Sequence, residues 1–388
     1  MTNQKQKAFQ YVDDHCAEMV SLWKEVVTME GGPHEKEGIN QVAARFKKIL
    51  DGEGATFRTI EFETAGSMLI GEIGKNHSKP GVIFMGHMDT AIPAGAIAER
   101  PFTIENGKAY GPGVLDMKGG IVAALYAIKA LKSIGYDSRS IKVLLAGDEE
   151  VLHANSNAPE IFMEEAKGYG AAFNMETGFV DDGIVVGRKG VARIRMEIKG
   201  IAAHAGNDPE NGRSAILEMA HKIIDVQNLT DCKKGIRFNV GVMQGGTTST
   251  AVPDYAKIFI DVRYKEPDDL PEIMKRIEDV GNKIYIEGTA TTVTFMDGIK
   301  PMKTTEGVKE LFEVVKKAYE ENGFGTPYAK TVGGGSDSAY TVLAGVPTVC
   351  AMGVKGGRNH SPEEYAIVES LFERAKLLVA CVLKLDNI

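Results

Sequence analysis

His87, Asp89, Asp116, Glu149, Glu150, Glu176 and His360 stand far apart in this 388-residue chain, each just after an apolar, strand-like run or in the turn that follows one. Two ligating imidazoles and three ligating carboxylates can hold a pair of divalent cations, and one carboxylate is left over to act on a bound water. These are the parts of a two-metal hydrolase. In an extended segment residues i and i+2 point the same way, so Asp89 can meet one ring nitrogen of His87 while the other faces a metal. Glu149 and Glu150 follow Gly147 and Asp148, which crowds three acids at one strand end. Crowded carboxylates raise one another's pKa unless a cation is present, and a metal lets them share a site while one stays basic enough for proton transfer.

Each fragment alone has a plainer reading. His87-Met88-Asp89 fits a solvated turn, Asp116 after Gly111-Pro112-Gly113 fits a helix N-cap, and the acids at 148–150 fit a helix first turn, where they complement the macrodipole. Glu176 and His360 fit ordinary loops. Only the ensemble points to a metal centre.

Such a set needs strands that end on one side of a sheet. Pro80-Gly81 opens a buried-strand pattern at Val82–Met85 that runs into His87, and Ile141–Ala146 repeats it. Between them Met117–Ile134 is Ala/Leu/Ile-rich, helical in length and closed by Gly135. Strand, helix, strand implies a parallel sheet. Tyr169–Met175 and Val346–Met352 add two more apolar runs, the second after a helix expected at Ser336–Ala344. The middle of the chain reads differently: Val191–Ile198 alternates apolar and charged residues, as a strand with one wet face does. A helix at Ala215–Val226, strands at Phe238–Met243 and Ala256–Val262, a helix at Pro271–Ile284 and a strand at Thr291–Phe295 complete a β-α-β-β-α-β order, that of an open-faced sandwich. The expectation is an α/β fold with a mixed, mainly parallel sheet and helices on both faces, built from residues 1–189 and 298–388, with an inserted domain at 190–297.

Length and composition agree with two domains of a globular protein: 43% of residues are hydrophobic and 25% charged. A net charge of -8 argues against nucleic acid or an acidic membrane as partner and favours a small-molecule or peptide substrate. Met1–Glu30 has neither the basic start nor the apolar stretch of a signal peptide, and no apolar run approaches the ~20 residues of a membrane span. Cys16, Cys232, Cys350 and Cys381 are scattered without CxxC spacing, as reduced core thiols would be. A cytoplasmic location is expected.

The segments Gly86-His87-Met88-Asp89-Thr90, Gly113-Val114-Leu115-Asp116-Met117-Lys118-Gly119-Gly120, Asp148-Glu149-Glu150 and His360-Ser361-Pro362-Glu363-Glu364 resemble, in order and over nearly the whole chain, a known family. It is the co-catalytic zinc family of glutamate carboxypeptidases, aminoacylases, acetylornithine deacetylases and tripeptidases, and the best overall match looks like the glutamate-carboxypeptidase branch. The resemblance implies the zinc-peptidase fold and two zinc ions, with cobalt or manganese as chemically suited substitutes. Asp116 would bridge both ions, His87 and Glu176 would complete one site, and Glu150 and His360 the other. Asp89 would orient His87, and Glu149 would act as general base toward the metal-activated water and then as acid toward the leaving amine.

The same resemblance implies a homodimer through the inserted domain, with His204 in Lys199-Gly200-Ile201-Ala202-Ala203-His204-Ala205-Gly206 reaching the partner's site. Arg263 would bind a substrate carboxylate, and Gly334, Gly335 and Ser336 of the Gly333–Asp337 loop would line the pocket. Thr250 stands where many relatives carry asparagine, a shorter reach with a different donor count. Amide or peptide hydrolysis beside a free carboxylate is the leading expectation. An N-acyl amino acid deacylase or a di- or tripeptidase would use the same mechanism, and a non-catalytic, metal-stabilised dimerisation or binding protein is the alternative of another class.

Overall fold

The apolar runs become the centre of a sheet. Val82–His87 and Ile141–Ala146, buried at every residue, lie side by side in parallel with His87 opposite Ala146, and Ala171–Asn174 pairs in parallel on the other side of Val82–His87. The computed structural model describes residues 2–74 and 78–387. It divides into two units: Met1–Gly187 with Thr304–Thr331 and Asp337–Ile388, and Arg188–Lys303 with Val332–Ser336.

The first unit holds a six-stranded sheet in the order Thr56–Ile60, Met68–Ile73, Ile141–Ala146, Val82–His87, Ala171–Asn174, Thr348–Val349. The first two joints are antiparallel and the other three parallel, so the mixed, mainly parallel α/β sheet expected from the sequence is present. The apolar helix Gly119–Ser133 packs on Val82–His87 and against the C-terminal helix Val368–Leu385. Its second residue has no room for a side chain: a Cβ on Gly120 would stand 2.2 Å from the Met175 carbonyl oxygen. That close approach seats the helix directly over the segment leading to Glu176.

In the second unit Gly190–Lys199, Arg237–Gly245, Tyr255–Tyr264 and Ala290–Ile299 form an antiparallel sheet, with Arg237–Gly245 and Ala290–Ile299 at its edges. Helices Ala215–Asn228 and Asp269–Asn282 complete the β-α-β-β-α-β order. Alternation explains the one-sided burial: Ala192, Ile194, Met196 and Ile198 enter the core with Ile258, Ile260, Met219 and Ile277, while Arg193 and Arg195 face away. The unit is larger than the expected 190–297. Ala290–Ile299 keeps pairing as far as Ile299, Arg188 and Met302 exchange backbone hydrogen bonds, and Lys189 N–H donates to Val332. Residues 298–303 and 332–336 are therefore grouped with it.

Candidate metal centre

Three adjacent parallel strands deliver the acids and the first histidine to one edge of the sheet. Val82–His87 ends in His87, Ile141–Ala146 runs into Asp148, Glu149 and Glu150, and Ala171–Asn174 into Glu176. The carboxyl ends of parallel strands are where open α/β sheets place their ligands. His87, Asp116, Glu149 and Glu176 are each less than a tenth exposed, and the Glu150 side chain is equally covered. His360, on the stretch after Lys355–Gly357, is half exposed with its ring turned inward.

The donor atoms converge in two groups that share His87. Asp116 Oδ1 lies 3.3 Å from His87 Nε2, while Asp116 Oδ2 lies 3.1 Å from His360 Nε2, which is in turn 3.3 Å from Glu150 Oε2. Donor atoms of His87, Asp116 and Glu150 lie within 4.8 Å of one another, and so do those of His87, Glu149 and Glu176. The two Asp116 oxygens thus face one histidine each. Ligands about 2.0–2.1 Å from a tetrahedral zinc stand roughly 3.3 Å from each other, the spacing seen here. Asp116 Oδ1 and Glu150 Oε1 are buried without a hydrogen-bond donor, which suits atoms that give lone pairs to a cation. The donor set fits divalent metal.

His87 is held in the tautomer that ligation requires. Its Nδ1 is 3.0 Å from the Asp89 backbone carbonyl, so Nδ1–H donates there and Nε2 presents its lone pair toward Asp116. The orienting group is more the Asp89 backbone than its carboxylate: Asp89 Oδ1 is 3.4 Å from Nδ1, and Oδ2 accepts the Glu150 N–H at 2.9 Å. Asp89 so links the His87 and Glu150 segments. Burial, reinforced by Glu176, Asp337 and Glu150 and opposed by His87, holds the Glu149 carboxyl well above the usual carboxylate range. A carboxylate with raised proton affinity is suited to general-base work.

Asp116 is not the N-cap that its sequence context allows. It lies in a kinked turn, Val114–Lys118, with non-helical φ and ψ, and Lys118 occupies the cap position of the following helix. Glu364, which sequence reading gave no role, holds this turn. Its carboxylate accepts from Leu115 N–H at 2.8 Å, Asp116 N–H at 3.1 Å and Gly113 N–H at 3.3 Å, while Trp23 Nε1 donates to the Val114 carbonyl. Burial pushes the Glu364 carboxyl up to about 7 against the pull of those N–H groups. Asn359 Nδ2 adds a 3.0 Å bond to Asp116 Oδ2. Glu364→Gln is expected to weaken divalent-metal affinity by roughly 10–100-fold, read by metal titration of the purified protein; unchanged affinity would show that the turn supports itself.

The second unit carries the remaining sequence-selected residues. Ala203–His204 pairs with Ala251–Val252, and the Thr250 carbonyl accepts the Ala205 N–H, so His204 and Thr250 share one exposed loop pair. His204 Nδ1 accepts from the N–H groups of Gly206 and Asn207, which leaves Nε2–H as a donor. The Thr250 hydroxyl meets Thr248 Oγ1 at 3.2 Å. Arg263 is already engaged: its Nε and Nη2 grip Asp261 at 2.8 and 2.9 Å, and Nη1 donates to the Gly333 carbonyl. Arg188 donates to the Gly334 and Gly335 carbonyls, and Ser336 is buried. The glycine loop is therefore secured through its carbonyls by two arginines, a contact that the Gly-Gly-Gly-Ser sequence does not announce.

A profile of Peptidase family M20/M25/M40 matches residues 83–384. Carboxypeptidase G2 of Pseudomonas sp. (strain RS-16) is 31% identical over 382 residues, covering 96% of this chain and 91% of that protein. Among solved structures, a tripeptidase from Staphylococcus aureus superposes with a TM-score of 0.79 at 20% identity, over 96% of this chain and 99% of the other. An M20 family metallo-carboxypeptidase from Sulfolobus solfataricus gives 0.78 at 19% identity, over 96% and 100%. At these identities the structures speak to the fold, the zinc-peptidase arrangement. No helix among the described residues is long and apolar enough to cross a membrane.

Proposed function

Since the chain belongs to the M20/M25/M40 peptidase family and is a hydrolytic enzyme, we propose that it is a dinuclear zinc hydrolase cleaving an amide or peptide bond beside a free carboxylate, with release of a C-terminal amino acid. The observation that carries this reading is the gathering of Asp116, Glu149, Glu150, Glu176, His87 and His360 at one sheet edge with donor atoms spaced as metal ligands are. Four buried carboxylates against two imidazoles are stable only with added positive charge. His87, Asp116 and Glu176 would hold one ion, and Asp116, Glu150 and His360 the other. When bound, such a pair supplies Lewis acidity that eases deprotonation of water and polarises the carbonyl.

The chain's own groups do the rest. Glu149 takes the proton of the attacking water on its carboxylate and returns it to the nitrogen of the leaving amine, so no free amide anion is expelled. Asp89 and Glu364 keep His87 and Asp116 in place while this happens. His204 Nε2–H would donate to the carbonyl oxygen, Arg263 would meet the substrate carboxylate, and Thr250, Gly334, Gly335 and Ser336 would shape its surroundings.

A second reading keeps the same mechanism with an N-acyl amino acid or a small peptide as substrate. A homodimer through the inserted unit belongs to the same proposal. Leu217 and Ile224, seven residues apart on one helix, and Val242 and Met243 on an edge strand are exposed there.

One preparation tests all of this. C-terminal amino-acid conjugates, N-acetyl and N-succinyl amino acids and dipeptides are offered with and without chelator, and the same sample is weighed by light scattering. The expected result is release that chelation abolishes and Zn2+ restores, fastest on the conjugates, from a particle of twice the chain mass. No metal-dependent release from any of them would overturn the reading.

A further inference from the structure

A second buried histidine lies beside the base-bearing turn and outside the ligand set. His153, 6% exposed, has both ring nitrogens on carboxylates: Nδ1 is 2.9 Å from Asp148 Oδ1 and Nε2 is 2.6 Å from Asp337 Oδ1. Burial opposes a charged ring, and Asp337 and Asp148 outweigh it, so the ring stays protonated well above the usual imidazole range. Both nitrogens then donate.

Several departures from ordinary local chemistry surround this ring. Asp337 occupies the N-cap position of helix Ser338–Leu343, where aspartate normally accepts a backbone N–H, yet it makes no capping bond and spends its carboxylate on His153. Asp148 likewise accepts from His153 and from Ser156 Oγ at 2.9 Å. Leu152 and His153 adopt φ of 58° and 56°, a left-handed conformation that side chains avoid. Two backbone bonds close the turn there: Leu152 N–H to Glu149 O at 2.7 Å and His153 N–H to Asp148 O at 3.1 Å. Tyr340 meets the His153 ring edge-on and stacks in turn on Phe162. The turn so enclosed is Asp148–His153, which carries both Glu149 and Glu150.

We propose that His153 is a positioning residue: by donating to Asp148 and Asp337 at once, it fastens the Glu149–Glu150 turn to the start of helix Ser338–Leu343 and so fixes the aim of the Glu149 carboxylate. The proposal rests on the assignment of Glu149 as base. A hydrophobic residue would fill the space without burying charge, and buried ion pairs are poor stabilisers relative to apolar packing. Holding a geometry is what this arrangement does that apolar packing would not. His153 also sets positive charge beside Asp337, one of the carboxylates facing Glu149.

The test compares His153→Asn, Asp337→Asn and the double variant with the parent, on whichever conjugate the parent hydrolyses. Expected for His153→Asn is a kcat lower by about 100-fold, with KM and bound metal little changed. The double variant should be no slower than the slower single, because both changes cut one link. Amide hydrogen exchange across residues 148–153 should speed up in each variant, and this readout needs no substrate. A parent that hydrolyses nothing would defeat the functional reading, and the exchange result would still decide whether His153 fastens the turn. Unchanged exchange, an unchanged kcat in folded His153→Asn, a kcat loss that follows metal loss, or additive losses in the double variant would each overturn the proposal.

Discussion

Glu149→Gln is expected to lower kcat by roughly 10²- to 10⁴-fold, the range for losing a positioned proton-transfer group, while the protein keeps its bound metal. The substitution preserves volume and one carbonyl-type oxygen, so packing at this buried position is conserved. It removes only the ability to accept a proton from water and pass it on. The geometry makes this a sharp experiment, because a Glu149 oxygen also lies among the donor atoms of His87 and Glu176. Metal analysis beside single-turnover rates separates the two roles. Activity and metal lost together would make Glu149 a ligand, and full activity would remove it from the chemistry altogether.

Lys222→Met should cost roughly 3–5 kcal/mol of stability, as breaking a buried ion pair from one side does. Lys222 and Glu218 are both fully buried one turn apart on helix Ala215–Asn228, with Nζ 3.1 Å from Glu218 Oε1. The ammonium also donates to the Val280 and Gly281 carbonyls at 2.9 and 3.0 Å, capping the end of helix Asp269–Asn282, and to the Lys283 carbonyl beyond it. The other Glu218 oxygen accepts the N–H groups of Tyr285 and Ile286. Methionine fills the volume but leaves a buried carboxylate without its counter-charge and three carbonyls without a donor. Guanidinium unfolding followed by circular dichroism measures the loss. A change below about 1 kcal/mol would mean that water or a neighbouring donor takes over, since that is the range of ordinary surface pairs.

Periodicity carried the fold a long way, and contacts between distant segments set its limit. The apolar runs at 82–85 and 141–146 and the alternation at 191–198 are local patterns, and each lies within the strand it suggested. Thr56–Ile60 and Met68–Ile73 were not read from the sequence: the first is a mostly exposed edge strand, and the second is a short apolar run that pattern alone does not distinguish from a helix segment. At the site, residue type and motif order were enough to select His87, Asp116, Glu149, Glu150, Glu176 and His360. The groups that hold them were not legible, because Glu364 meets Asp116 from 248 positions away and Asp337 meets His153 from 184. Nothing in the spacing of either pair betrays the contact. Arg263 was legible as a fork, but not that Asp261 and Gly333 already fill it.

The first unit is discontinuous: it begins at residues 1–187 and is completed only by segments that follow the insert. During synthesis, the insert's strands and helices have nearly all left the ribosome before the sheet strand Thr348–Val349, the proposed ligand His360 and the Glu364 carboxylate exist. A nascent chain halted between Glu176 and His360 has His87, Asp116, Glu150 and Glu176 in hand but lacks the imidazole that faces Asp116 and Glu150 and the acceptor that shapes the Asp116 turn. The order of residues along the chain thus leaves this cluster incomplete until the segment that carries His360 and Glu364 has been made.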